Sequence, residues 1–393
     1  MKYHSLRPWP RLSGAAFTPV KPTFGLAMVP ALLLLTACGL FSATATPMAT
    51  PLPTPTIAPT STPVPDPVER RVRLPQDEAA HGTPFEWWYF NGHLSDDQGR
   101  AYSYHFVTFE ITTPAGINPR LLQLGWADHT AGRYLTDEMP SIVPGAIVPD
   151  GFDIRQGDWW MRGDGSRYSL GFNTGNYALK LEAVPTKPAV LHQGTGLVDL
   201  GRAGESYYYT RGRLATTGVL TVDGERHAVT GSGWMDRQWG DFGREAPVGW
   251  DWVSAQLDDG TELMVTLLWD ADDREPILTY GTYVAADGLA TSLDSDDIQL
   301  TATGTWTSPH NGTVYPMGWR LEVTEPPLSL RLEPVQEFAE FAGSSYLPVP
   351  YWEGAVTITG QAAGQNISGQ GFVELVGYAP RVADNPAIPA PGQ

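Results

Sequence analysis

The sequence predicts an all-β protein, a run of hairpins that closes as a barrel or a sandwich. From about Arg71 to Tyr378 apolar residues alternate with period two, as in Leu179-Lys180-Leu181-Glu182, Val219-Leu220-Thr221-Val222 and Trp319-Arg320-Leu321-Glu322-Val323. β-Branched and aromatic residues dominate these runs. Acidic glycine turns separate them at short spacing: Asp96-Asp97-Gln98-Gly99, Asp223-Gly224, Asp258-Asp259-Gly260 and Asp287-Gly288. Such a pattern excludes a βαβ sheet. One weak helix is expected, Glu333 to Phe341, with Phe338 and Phe341 on one side.

The first 38 residues read as an export signal. Lys2, Arg7, Arg11 and Lys21 form a positive start, and an apolar run from Phe24 to Leu35 follows. That run is short and holds Pro30, so it makes a poor membrane-spanning helix. Leu35-Thr36-Ala37-Cys38 resembles the bacterial lipobox, whose cysteine is acylated and becomes the new N-terminus. The lone cysteine of the chain stands at this position, which favours lipidation at Cys38 over an ordinary signal peptide. The expectation is an exported protein, lipid-anchored to the extracytoplasmic face of the membrane. Residues 39–70 are a Thr/Pro-rich linker unable to bury a core, and 379–393 are a Pro-rich tail expected to be disordered.

Composition narrows the function. The 393 residues carry a formal net charge of -18, which argues against nucleic acid and against adhesion to anionic lipid apart from the anchor. One cysteine allows no intrachain disulfide. A Gly-x-Ser-x-Gly elbow, a His-Glu-x-x-His pair, a P-loop and a Gly-x-Gly-x-x-Gly turn are all missing from the sequence. No cofactor and no metal is therefore expected. His93 and His105, on facing strands of one hairpin, are the nearest histidine pair.

The chain repeats itself. Trp87-Trp88-Tyr89-Phe90-Asn91-Gly92-His93-Leu94 leads through an acidic glycine turn to a strand ending near Phe109. Trp250-Asp251-Trp252-Val253-Ser254-Ala255-Gln256-Leu257 leads through Asp258-Asp259-Gly260 to a strand ending near Trp269. Two aromatic hairpins can look alike by chance, but the shared turn chemistry points to a duplicated barrel. Its halves are 71–243 and 244–378.

Three segments carry ionisable groups among aromatic rings. On a strand, Trp87, Tyr89, Asn91 and His93 share one face, and Glu86, Trp88, Phe90 and Leu94 the other. The first face suits a ligand cavity. On the second, Glu86 needs either a cationic partner or a raised pKa. In Gly233-Trp234-Met235-Asp236-Arg237-Gln238-Trp239-Gly240, Arg237 and Trp239 share one face and Trp234, Asp236 and Gln238 the other. The two charges form either a structural network or a binding or catalytic cluster. In Trp250-Asp251-Trp252, Asp251 faces away from both rings, as a partner for Arg237 or as an outward polar residue.

These segments resemble the AttH/carotenoid 1,2-hydratase family of lipocalin-like proteins. The likeness spans nearly the whole folded part. It rests on His81 with Glu86-Trp87-Trp88-Tyr89 and Gly92-His93-Leu94, on Ser206-Tyr207-Tyr208-Tyr209, and on Gly233 to Gly240. It extends to Gly249-Trp250-Asp251-Trp252, Tyr315-Pro316-Met317-Gly318-Trp319 and Tyr351-Trp352-Glu353-Gly354-Ala355-Val356. The resemblance implies two lipocalin-like barrels in tandem. It implies no single activity, because members include hydratases of isoprenoid double bonds, pericyclase-type proteins and secreted proteins assigned only as hydrolases. In the hydratase branch a His stands at the position of Arg237, and a Tyr-x-Asp pair follows on a later strand. Asp270, after Trp269, is the nearest match here.

Two functions follow as expectations. One is a lipid-anchored module that binds a hydrophobic, isoprenoid- or lipid-like small molecule, with Trp87, Tyr89, His105, Trp250, Asp251 and Trp252 around it. The other is a hydratase- or hydrolase-type enzyme. In that reading Asp236 or Glu86 is the acid, and Trp239, Tyr89 and His93 surround the cation and the water. Arg237 beside the acid would depress it. A glycan-directed role needs two carboxyls flanking one bond, and the sequence locates no such pair.

Overall fold

The computed structural model describes residues 71–379, apart from 113–117, 143–147, 244–247, 345 and 347–348. The export signal, Cys38, the Thr/Pro-rich linker and the tail beyond residue 379 lie outside the described residues.

The strands form two sheets. The first holds β1 (Phe85–Asp96), β2 (Ala101–Ile111), β3 (Arg120–Asp128), β4 (Arg133–Ser141), β5 (Phe152–Gln156) and β6 (Trp159–Gly163). It continues with β7 (Tyr168–Asn173), β8 (Tyr177–Pro185), β9 (Val190–Leu191), β10 (Leu197–Asp199), β11 (Gly204–Val222) and β12 (Glu225–Phe242). The second holds β13 (Val248–Leu257), β14 (Glu262–Asp270), β15 (Pro276–Val284), β16 (Ala290–Leu293) and β17 (Ile298–Thr307). It continues with β18 (Val314–Val323), β19 (Leu328–Pro334), β20 (Glu340–Phe341), β21 (Tyr351–Ala362) and β22 (Gln365–Val376).

Every recorded strand pair is antiparallel, and the two sheets have one topology. The first runs β4-β3-β2-β1-β12-β11-β8-β7-β6-β5, the second β16-β15-β14-β13-β22-β21-β19-β18-β17. In each, the first four strands form a meander, and the last strand returns to pair with the first one. The aromatic hairpins that look alike in sequence, β1–β2 and β13–β14, hold equivalent places. Curled sheets of this kind bury one face.

The buried faces are solid. Trp88, Phe90, Trp126, Trp159, Tyr168 and Phe172 belong to the core of the first barrel, and Trp319, Trp352, Leu321 and Leu332 to that of the second. A third apolar cluster joins the barrels. It takes Tyr89, Val107, Tyr208 and Trp234 from the first sheet and Trp252, Met264, Tyr280 and Phe372 from the second. The cavity expected among the aromatic residues is thus not a hollow barrel: the mixed face of β1 packs against the other sheet, forming a seam.

The expected helix from Glu333 to Phe341 does not form. β19 runs on to Pro334, and Glu340 and Phe341 form β20. β21 takes up the backbone groups a helix would use: Val335 N–H donates to Ala355 O, and Glu353 N–H to Ala339 O. Phe341 stacks on Tyr351 at 5.2 Å, while Phe338 is 46% exposed, so the two rings share no face.

Candidate active site

Register places the chemistry at the seam. Neighbouring strands align Gln123, Val107, Tyr89, Asp236 and Thr210 in one lateral row across the first sheet, each opposite the next. A second row crosses the second sheet: Glu353, Glu374, Trp252, Thr266 and Tyr280. Tyr89 spans the gap, its hydroxyl donating to Glu353 Oε1 at 2.5 Å while accepting from the Asn91 amide at 2.9 Å. Trp252 spans it again, its indole N–H donating to the Tyr208 hydroxyl at 3.1 Å.

Asp236 is the most elaborately held carboxyl of the seam. It is 4% exposed. Its Oδ1 accepts from Thr210 Oγ1 at 2.5 Å and from the Trp234 indole at 2.8 Å, and its Oδ2 accepts from the Tyr208 hydroxyl at 2.5 Å. Burial pushes its pKa up to about 6, against three donors that pull it down. Behind Thr210 lies His192, whose ring nitrogens reach Thr210 Oγ1 at 2.8 Å and Thr282 Oγ1 at 2.9 Å. With Asp236 ionised, Thr210 gives its one proton to the carboxylate and so accepts from His192 Nε2–H. His192 Nδ1 then accepts from Thr282. Burial holds His192 neutral, its pKa lowered to about 3.

A second acidic group sits further along. Glu353 and Glu374 are directly paired across β21 and β22. Burial, then the neighbouring Glu374, drive Glu353 well above the carboxylate range. Burial lifts Glu374 to about 7, although the Trp250 indole donates to it at 2.9 Å. His105 lies 3.4 Å from Glu353 and is held neutral by burial, at about 3. Gly125, opposite His105 on β3, leaves the ring its space, since a Cβ there would lie 2.3 Å from His105 Cε1.

An open groove of ≈ 710 Å³ lies beside the seam and shares Tyr280 with it. Leu197, Pro276, Ile277, Leu278 and Tyr280 contribute to its wall. Tyr280 belongs to both groove and buried row, and lies near enough to Asp236 for the carboxylate's charge to raise its phenol, adding to the larger effect of burial.

The structure divides the residues singled out in the sequence. Tyr89, His105, Asp236 and Trp252 meet in the seam. Trp250 borders it, and Trp87 packs nearby against Phe109 and Phe242. His93 crosses it, bonding Gly371 O at 3.0 Å, and burial lowers its pKa to about 4. The register sets His93 opposite Ser103 and His105 opposite Asn91, and each imidazole engages the second sheet.

Glu86, Arg237 and Trp239 lie on the opposite faces of their strands. There Arg237 pairs with Glu86, stacks 3.9 Å over Trp88 and bonds Ala79 O at 2.7 Å. Burial alone would raise Glu86, but the Arg237 charge and the His81 hydrogen bond outweigh it and hold it at about 2. Glu86 is therefore an anion near neutral pH, which corrects its expected part as an acid. Trp239 stacks between His81 (3.9 Å) and Tyr207 (5.5 Å), which removes it from any cation at the seam. The expected depression of Asp236 by Arg237 fails for the same reason: adjacent residues of a strand face apart. Asp251, which is part-buried, does not partner Arg237; it accepts from Tyr378 at 2.7 Å. Asp270 pairs with Arg202 at 3.3 Å.

Glu353, Glu374, Tyr208, His192 and Tyr280 also stand at the seam, where alternation and motif do not mark them as site residues. One signal was present: Tyr351-Trp352-Glu353 sets a carboxylate among aromatic residues, as Glu86-Trp87-Trp88 does.

Two curled antiparallel sheets of one topology, joined over a seam of buried carboxyls, define a lipocalin-like double barrel. The chain belongs to the AttH-like family, whose model matches residues 65–378. The crystal structure of an AttH protein from Nitrosomonas europaea is 27% identical, with a TM-score of 0.70 over 81% of this chain and 100% of that one. Kievitone hydratase from Nectria haematococca shares the fold at 18% identity, with a TM-score of 0.65 over 78% and 93% of the two chains. The dehydratase asqC of Emericella nidulans is 27% identical over 203 residues, 49% of this chain and 55% of that protein. The chain thus spans about half the length of that relative.

Proposed function

We propose that this protein is an enzyme of hydratase or dehydratase type, which adds water to or removes it from a hydrophobic small molecule at the seam. The observation that carries this reading is Asp236, a buried carboxyl titrating at about 6 beside the groove-lining Tyr280. An acid with that pKa holds a proton to give to a leaving hydroxyl or an alkene carbon, and its carboxylate can take one back. In the dehydrating direction a C–O and a C–H bond break, the hydroxyl leaves as water and the carbon proton passes to a base. Tyr208 and Thr210 hold the Asp236 carboxyl in place, His192 fixing Thr210 in turn, and the indoles of Trp234 and Trp252 shield it from water. The dehydratase relative supports the reaction class. We also propose that Cys38 anchors the protein to the extracytoplasmic face of a membrane, on the strength of the lipobox-like Leu35-Thr36-Ala37-Cys38.

The test is a panel of hydrophobic alcohols and alkenes incubated with the full chain and followed by mass spectrometry. A change of one water mass, lost in Asp236→Asn, supports the enzyme. A hydrophobe retained unchanged, with no conversion by the wild type, identifies a binding protein instead.

A further inference from the structure

The groove that Tyr280 lines is charged on its rim. Asp199, at the end of β10, and Asp294 and Asp296, between β16 and β17, all line it and are all exposed. Asp199 accepts a hydrogen bond from Gly201 N–H at 2.8 Å, and Asp294 closes a reciprocal capping pair with Asp297. Neutral N–H donors leave both charges in place. None of the three forms an ion pair with a lysine or arginine among the described residues, and no basic side chain lines the groove. Beneath the rim the wall turns apolar, through Leu197, Ile277 and Leu278.

We propose that the groove binds an amphiphilic organic cation, its apolar body against Leu197, Ile277 and Leu278 and its positive group among Asp199, Asp294 and Asp296. This rests on the groove being the approach to the seam, and it narrows the substrate class of that site. A neutral hydrophobe gains the apolar contact alone. An anion of the same body meets three carboxylates across an aqueous rim, where the repulsion acts through solvent and is screened by salt.

Three probes with one eight-carbon body separate these cases: octyltrimethylammonium, 1-octanol and octanoate, each titrated calorimetrically into the full chain. The ammonium is expected to bind at least tenfold more tightly than octanoate, with octanol between them. Raising NaCl from 0.05 to 0.5 M is expected to narrow the gap. The triple variant Asp199→Asn, Asp294→Asn, Asp296→Asn is expected to bring the ammonium down to the affinity of octanol while leaving octanol unchanged. Asp199→Asn with Asp296→Asn, which spares the capping residue, is expected to do so in part. Equal binding of ammonium and octanoate overturns the charge proposal and leaves the acid–base reading standing. Failure of all three probes to bind a folded protein overturns the groove as a ligand site, and the charge proposal with it.

Discussion

Tyr89 and Glu353, 264 positions apart in the chain, share a 2.5 Å hydrogen bond that ties the two barrels together inside the seam. Removing the hydroxyl in Tyr89→Phe strands the Glu353 carboxyl and takes the acceptor from the Asn91 amide. A loss of about 1–3 kcal/mol is expected from urea unfolding. Adding Glu353→Gln should cost less than the sum of the two single changes, with a coupling of about 1 kcal/mol or more in the double-mutant cycle.

Asp236 makes stability depend on pH in a definite direction. Its folded pKa, about 6, lies above the ordinary 3.8, so the folded state holds its proton to higher pH than the unfolded chain does. Stability from this group is fully present below about pH 4 and is lost as pH rises through 6. Asp236→Asn removes this contribution. The unfolding free energy of the wild type, relative to the variant, should fall by about 2–3 kcal/mol between pH 4 and 7. A difference that stays flat across this range would refute the raised pKa.

Glu86 behaves in the opposite sense. Its folded pKa of about 2 lies below the ordinary 4.5, so its contribution is present above pH 4.5 and lost as pH falls toward 2. Arg237→Met leaves that anion buried without its partner. A destabilisation of about 3–5 kcal/mol is expected at pH 7, shrinking in acid as Glu86 gains a proton. The double change Glu86→Gln with Arg237→Met should recover much of the loss, read from the denaturation midpoint.

Gly125→Ala places a methyl group 2.3 Å from the His105 ring, so the imidazole must leave Glu353 or the strands must part. About 1–3 kcal/mol of destabilisation is expected. The His105 ring resonances should move in NMR spectra, whereas those of His192, which follows β9 and bonds Thr210 of β11, should stay in place.

Strand faces were legible in the sequence. Period-two alternation separated Trp87, Tyr89, Asn91 and His93 from Trp88 and Phe90, and Asp236 from Arg237, and the sheets keep both divisions. What alternation cannot supply is which faces meet. Glu86 and Arg237 look like two isolated charges until the register sets Trp88 opposite Arg237 and Glu86 opposite Trp239. The meeting of Tyr89 with Glu353 depends on docking one barrel on the other, which leaves no periodic trace. The apolar spacing of residues 333–341 misled for a related reason: β21 competes for the same backbone groups, and a local pattern carries no sign of that competitor.

In each barrel the opening strand hydrogen-bonds to the closing one: Phe85 stands opposite Gly240, and Trp250 opposite Val376. During synthesis the first strand must therefore wait, with one side of its backbone unpaired, until nearly the whole of its barrel has emerged. Such distant closure makes folding slow and leaves the growing chain prone to self-association. A chain halted just before residue 225 would keep that raw margin permanently, so aggregation of truncated products is built into the order of the strands.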